Sequence, residues 1–254
     1  MADNLILAKL GAAPEIFYSI QGEGFSSGLP SVFLRLSGCN LQCIWCDTDY
    51  TWNFEGTPYE HQNDQRPGYR KFARAEVQCR LSSSEAAAAI RQFPCRNVIF
   101  TGGEPLLQSS ALAGVMTHLR ESAADYRFDF ETNGTRLPDQ ALESFEPRYN
   151  VSPKLANSGM ALEQRLQPDV LRWFAACPRA TFKFVCQHTQ DVTEVRDLMA
   201  QVGIRAEQIF LMPEATSPEM LSERRRWLIA QCLESGFRFS DRLHVAVWGS
   251  KRGV

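Results

Sequence analysis

Seven short runs rich in Val, Ile and Phe recur along this chain, and segments of helical pattern separate them. The runs cover 31–36, 97–101, 128–132, 149–152, 181–186, 208–212 and 242–247, each of strand length. The intervening helices carry start and stop signals. Ser82 and Glu85 form a capping box before a helix over 86–93. Ser217-Pro218 opens another helix that Gly236 ends, and Asp191 opens one that runs to 201 with Gly203 as its stop. Strand and helix in alternation imply parallel strands with helical crossovers, hence an open or closed α/β barrel.

Sites in such barrels lie at the C-terminal ends of the strands, and the unusual residues of this chain fall there. Gly38-Cys39 follows the first run, Gly102-Gly103-Glu104-Pro105 the second, Asn133-Gly134 the third and Pro153-Lys154 the fourth. The stretch 53–80 is polar and aperiodic. It is read as a long insertion, either mobile or lying over the site as a lid.

A chain of 254 residues, 44% of them hydrophobic, can bury one sizeable core. Its net charge of −2 gives no electrostatic case for nucleic acid or an anionic membrane as partner. The short run Leu5-Ile6-Leu7-Ala8 has no basic flank, and no stretch approaches the roughly 18 apolar residues of a membrane span. A cytoplasmic protein is expected, in which the eight cysteines are ligands or core residues. Cys79, Cys95, Cys177, Cys186 and Cys232 are scattered and read as small buried hydrophobes.

Cys39, Cys43 and Cys46 are different. The spacing Cys-x3-Cys-x2-Cys lets one loop wrap three corners of a cubane cluster and leaves one iron without a protein ligand. A structural zinc site would want a fourth Cys or His, and His61, the next candidate, lies in a polar stretch with nothing to mark it as a ligand. Two glycines after a buried strand, at Gly102-Gly103, allow backbone to approach a ligand closely.

With Trp45 just before its last cysteine, the cysteine pattern resembles that of the radical S-adenosylmethionine (SAM) superfamily, and Gly102-Gly103-Glu104-Pro105 resembles that superfamily's GGEP motif. The resemblance implies a partial (open) TIM-like barrel spanning 1–254 as one domain, a 4Fe–4S cluster on Cys39, Cys43 and Cys46, and SAM at the open iron. Further motifs narrow the family. The segment from Glu15 through Gln21-Gly22-Glu23-Gly24, the run Phe33-Leu34-Arg35-Leu36-Ser37-Gly38-Cys39-Asn40-Leu41, then Cys46-Asp47-Thr48 and Ser152-Pro153-Lys154 resemble the 7-carboxy-7-deazaguanine synthase family. That family contracts 6-carboxytetrahydropterin to a 7-deazapurine precursor of queuosine and releases ammonia.

The resemblance implies roles position by position. Ile20, Gln21, Gly22, Arg35, Thr101 and Val254 would meet substrate, with Arg35 forking onto a carboxylate. Thr48 would be a ligand for Mg²⁺. Trp45, Cys46, Asp47, Gly103, Ser152, Pro153 and Lys154 would contact SAM. So would Leu211, Met212, Pro213 and Glu214, where Met and Glu depart from the family's Leu-Gln-Pro-Met-like pattern. Glu23 is a further candidate near the substrate, and Glu131 is either a ribose ligand or a satisfied barrel carboxylate. An external one-electron donor of flavodoxin or ferredoxin type and a homodimer are implied as well. No role is assigned to His118, His188 or His244, and Arg224-Arg225-Arg226 reads as a solvated helix face. Two other readings are a glycyl-radical-enzyme activase, which shares the cysteine spacing, and a non-catalytic zinc module. The motif at Gln21–Gly24, the Cys-Asp-Thr sequence and the Ser-Pro-Lys sequence argue against the activase.

Overall fold

The computed structural model describes residues 4–254. Its strands are β1 (Asn4–Leu10), β2 (Ala13–Pro14), β3 (Ile16–Ile20), β4 (Pro30–Arg35), β5 (Gln78–Ser82), β6 (Asn97–Thr101), β7 (Arg127–Thr132), β8 (Arg148–Val151), β9 (Ala180–Cys186), β10 (Ile209–Pro213) and β11 (Arg238–Phe239). The main sheet has the order β11-β10-β9-β8-β7-β6-β4-β3. From β4 to β11 every pairing is parallel, and β3 lies antiparallel on β4. The longer helices are α1 (Ser83–Ile90), α2 (Ser109–Ser122), α3 (Pro168–Ala176), α4 (Thr189–Val202), α5 (Pro218–Ser235) and α6 (Leu243–Trp248). The α/β class and the parallel sheet are those expected. The sheet ends at β3 and β11 without pairing them to each other, so the barrel is open.

Period-two alternation gives this sheet two unlike faces. On one, Leu34 stands opposite Phe100, Phe100 opposite Phe130 and Phe130 opposite Tyr149, all fully buried in the main core with the helices. On the other, Arg35 stands opposite Thr101, Glu131 opposite Asn150 and Asn150 opposite Thr181. Parallel sheets are ordinarily apolar on both faces. A polar inner face therefore marks the place where the fold gives up burial for a site.

The capping signals act as read. Ser82 and Glu85 cap α1 reciprocally, Ser217 accepts from the backbone N–H of Met220 at the start of α5, and Gly203 and Gly236 end α4 and α5 in the left-handed conformation. Asp191 lies inside the first turn of α4, where its carboxylate accepts from the N–H groups of Gln187 and His188.

Two expectations need correction. The run 242–247 is not a strand: Leu243–Trp248 is helix α6. Its β-branched composition suggested a strand, but Val245 is its one well-buried apolar residue, against Ala215 and Leu221, and the sheet edge is taken instead by Arg238–Phe239. Of the two readings of 53–80, a mobile stretch or a lid, the first gives way, because the segment carries structure of its own. Phe54 bridges to Phe72, His61 caps a short turn over Gln62–Gln65, and Gln78–Ser82 pairs with β1. Side-chain-to-backbone contacts hold it, and these leave no periodic trace in the sequence. The antiparallel strands β1–β3 also lie outside the seven runs.

Phe130 is fully buried between Phe100 (ring centroids 5.0 Å apart) and Tyr149 (5.7 Å). Phe130→Ala is expected to cost roughly 3–5 kcal/mol, read as a lower urea midpoint with an unchanged slope.

Candidate active site

After β4 the chain turns through Gly38 (φ 99°) into the cysteine loop. The loop is pinned from outside by backbone contacts. Gly38 N–H donates to the Thr51 carbonyl (2.8 Å), Ile44 N–H to Ser158 (3.0 Å), and the Trp45 indole N–H to Asn157 (2.8 Å). Cys39, Cys43 and Cys46 are free thiols that line the same cavity. Burial pushes the Cys43 thiol up to about 12 and raises Cys39 and Cys46 as well, so the bare loop carries three neutral thiols at pH 7. Three thiolates there require a metal's positive charge to compensate them. His61 is no ligand. Its Nε2–H donates to the Cys46 carbonyl (2.9 Å), while Nδ1 accepts from Asn63 N–H (3.2 Å).

The Gly-Gly-Glu-Pro turn lies directly against this loop. Glu104 N–H donates to the Gly38 carbonyl (2.9 Å), and a Cβ on Gly103 would come within 1.9 Å of the same oxygen. The second glycine is thus demanded by two strand-end loops passing in contact, as well as by the cavity it lines. Glu104 accepts from Thr132 Oγ1 (2.8 Å), Asn133 N–H (2.7 Å) and Leu106 N–H (3.0 Å), which ties the ends of β6 and β7 together.

A string of buried charges crosses the cavity. Lys183 Nζ lies 2.6 Å from Glu23 Oε2 and 2.9 Å from Glu131 Oε2. Arg242 Nε lies 2.9 Å from Glu23 Oε1, and its far nitrogen pairs with Asp47, beside the last cysteine. Glu131 also accepts from Gln21 Nε2 (2.8 Å) and Asn150 Nδ2 (3.1 Å). Burial works against ionisation of Glu23, but Lys183 and Arg242 outweigh it and hold the carboxyl well below its ordinary range. For Glu131 burial prevails over the pull of Lys183 and the pKa is raised. His244 Nε2 stands 3.7 Å from Glu23 Oε1, and burial lowers its pKa, which favours a neutral ring. Gly22 admits that ring, since a Cβ there would meet His244 Nδ1 at 2.3 Å.

At the opposite wall Arg35 Nε donates to Glu15 Oε1 (3.1 Å). Glu15 accepts from Tyr50 Oη (3.1 Å) and, on its other oxygen, from Arg252 (2.6 Å), whose guanidinium lies 3.5 Å above the Tyr50 ring. This places Val254 on the cavity wall.

Residues 34–158 match the family model described as the radical SAM superfamily. A 7-carboxy-7-deazaguanine synthase from Pyrobaculum aerophilum is 36% identical over 240 residues, covering 94% of this chain and 95% of that protein. The enzyme of the same name from Halobacterium salinarum is 33% identical, covering 92% and 89%. This chain belongs to the 7-carboxy-7-deazaguanine synthase family. The crystal structure of QueE from Escherichia coli superposes with a TM-score of 0.66 over 95% of each chain at 24% identity, which supports the fold. Membership of a radical SAM family carries with it the 4Fe–4S cluster and SAM and sets aside the zinc module, and membership of the 7-carboxy-7-deazaguanine synthase family sets aside the activase. Three desolvated thiols at one cavity, with the Thr48 hydroxyl 3.5 Å from Cys46 Sγ, are a donor set suited to such a cluster.

Most of the residues anticipated for the family meet at this one cavity. Ile20, Gln21, Gly22, Arg35, Thr101 and Val254 line it, as do Trp45, Asp47, Thr48 and Gly103, and also Ser152, Lys154, Met212 and Glu214. Three do not reach it with their side chains: Leu211 packs in the helix-side core, and Pro153 and Pro213 are absent from the wall. Glu214 is also occupied by an ion pair with Arg224. Glu131 has Gln21, Asn150 and Lys183 as partners. Sequence reasoning missed Lys183, Arg242 and His244. Lys183 carried a readable signal, because a lone charge inside the strand Ala180–Cys186 needs buried partners. Arg242 and His244 gave none, since they were read as part of a strand.

The depressed pKa of Glu23 fixes the sign of its pH dependence. Its contribution is fully present above the unfolded value of about 4.3 and is lost as pH falls through the folded value. Glu23→Gln is expected to cost about 2 kcal/mol at pH 7. It should also make the loss of stability below about pH 4.3 shallower than in the wild type, as followed by urea denaturation across pH.

Proposed function

We propose that this chain is the lyase that converts 6-carboxy-5,6,7,8-tetrahydropterin to 7-carboxy-7-deazaguanine with release of ammonia, in the biosynthesis of queuosine and related 7-deazapurines. The observation that carries this reading is the shared cavity. The three thiols stand at one side of it, and a polar sheet face with Arg35, Glu131 and the Gln21 loop forms another.

When bound, the cluster and SAM supply one-electron cleavage of a carbon–sulfur bond and hydrogen abstraction from the substrate, and Mg²⁺ supplies charge at the substrate carboxylate. Cys39, Cys43 and Cys46 would hold the cluster, and Gly103, Ser152 and Lys154 would border the SAM site. Lys154 is set by its bond to Ser152 Oγ (3.1 Å) and lies 5.8 Å from the Trp45 ring centroid. Thr48 would offer its hydroxyl oxygen to Mg²⁺. Asp47 is committed to Arg242.

Arg35 is held at Nε by Glu15, which aims its terminal N–H groups at a substrate carboxylate. Gln21 and Glu131 are bonded to each other and present an amide and a carboxylate to the donors and acceptors of a pterin edge. Burial of these groups keeps water from competing for them and strengthens each contact.

The electron arrives from an external one-electron donor, which we place in the flavodoxin or ferredoxin class. We read residues 1–254 as one radical SAM domain with an insertion near 53–80, acting as a homodimer in the cytoplasm. No helix among the described residues is long and apolar enough to cross a membrane.

Anaerobically reconstituted protein with SAM, dithionite, Mg²⁺ and 6-carboxytetrahydropterin should form 7-carboxy-7-deazaguanine, followed by absorbance and mass. Cys43→Ala should abolish it. Cleavage of SAM without that product would leave the cluster in place and contradict the substrate.

A further inference from the structure

The loop after the third cysteine brings a hydroxyl and an indole into the cavity that Cys46 lines. One is Thr48 Oγ1, 3.5 Å from Cys46 Sγ. The other belongs to Trp52, which lines the cavity near Cys46 and is 3% exposed. Its indole N–H has no hydrogen-bond partner, and among the described residues lining the cavity it is the one buried side-chain nitrogen left so. A buried donor without an acceptor costs about 1–3 kcal/mol. A neutral thiol accepts weakly, whereas a charged acceptor makes roughly twice as strong a bond. A thiolate held by a cluster in this cavity would supply the acceptor that the indole lacks.

The indole is held firmly in place. Trp52 backbone N–H donates to the Asp49 carbonyl (3.0 Å), and the ring packs edge-on against Tyr59 (centroids 6.2 Å apart) and His61 (5.9 Å). His61 in turn donates to the carbonyl of Cys46 itself. The polar segment beyond the cysteine loop thus grips Cys46 at its carbonyl and fixes the unpartnered indole in the wall of the cavity that Cys46 lines. Trp45, the other indole near the loop, has spent its N–H on Asn157.

We propose that Trp52 is a redox-tuning residue: its indole N–H donates to the Cys46 thiolate of the bound cluster and raises the cluster's reduction potential. The proposal rests on the radical SAM reading of the three cysteines. Reduction adds one electron, supplied by the external donor, and increases negative charge on the cluster and its thiolates. A donor to one of those sulfurs stabilises the reduced form more than the oxidised form. Loss of the bond is expected to lower the ratio of reduced to oxidised cluster on the order of tenfold at a fixed potential, about 59 mV for one electron.

The test is an anaerobic potentiometric titration of the reconstituted holoprotein, with the reduced cluster read by electron paramagnetic resonance. Trp52→Phe keeps the ring and removes the N–H. Its midpoint should move negative by about the amount above, with iron and sulfide content unchanged. A midpoint equal to that of the wild type in the loaded variant overturns the proposal. If the variant does not load, wild-type protein carrying indole-¹⁵N tryptophan decides by pulsed resonance. Coupling of one indole nitrogen to the cluster is the supporting result, and its absence is the contradicting one. Failure of the wild type to bind any iron–sulfur cluster would overturn the radical SAM reading and this proposal with it.

Discussion

The walls of the cavity are held to one another by the buried charges around Lys183. Its ammonium joins Glu23, on the loop after β3, to Glu131 on β7. Arg242, just before α6, extends the string from Glu23 to Asp47 and so to the cysteine loop. Five parts of the chain far apart in sequence therefore meet through two cations and three carboxylates. Removing one partner from a buried ion pair commonly costs about 3–5 kcal/mol, because the other charge is left desolvated. That penalty makes the string a specifying device.

The sheet makes this possible by dividing its labour. The helix-side face, with Leu34, Phe100, Phe130, Tyr149, Phe182 and Phe184, supplies the hydrophobic burial that holds the molecule together. The inner face is then free to carry Arg35, Glu131, Asn150 and Lys183. The loops at the C-terminal strand ends are braced separately. Glu104 ties two of them, Gly103 allows two to touch, and the segment after the cysteine loop clamps Cys46 through His61. Stability and chemistry use different residues on the same strands.

Much of this was legible in the sequence, for physical reasons that also explain the gaps. Buried parallel strands are compact apolar runs, and capped helices announce their ends, so β4, β6 through β10 and helices α1, α4 and α5 could be placed. The cysteine spacing and the glycine pair are local, and local patterns survive in a single sequence. Contacts that depend on tertiary proximity did not survive. Arg242 and His244 join the site only because the chain returns after β11 as a helix, where 242–247 looked like a strand. Lys183 could have been found, as a charge in the middle of an apolar strand. The segment 53–80 hid its order because rings and backbone acceptors hold it, with no repeating pattern.

If the Lys183 string shapes the substrate cavity, its loss weakens substrate binding, which titration of 6-carboxytetrahydropterin into reconstituted Lys183→Met protein measures against the wild type. The Kd should weaken at least about tenfold, a loss of about 1.4 kcal/mol, with the cluster's absorption retained. Wild-type affinity in that variant would show that the string does not set the cavity's shape.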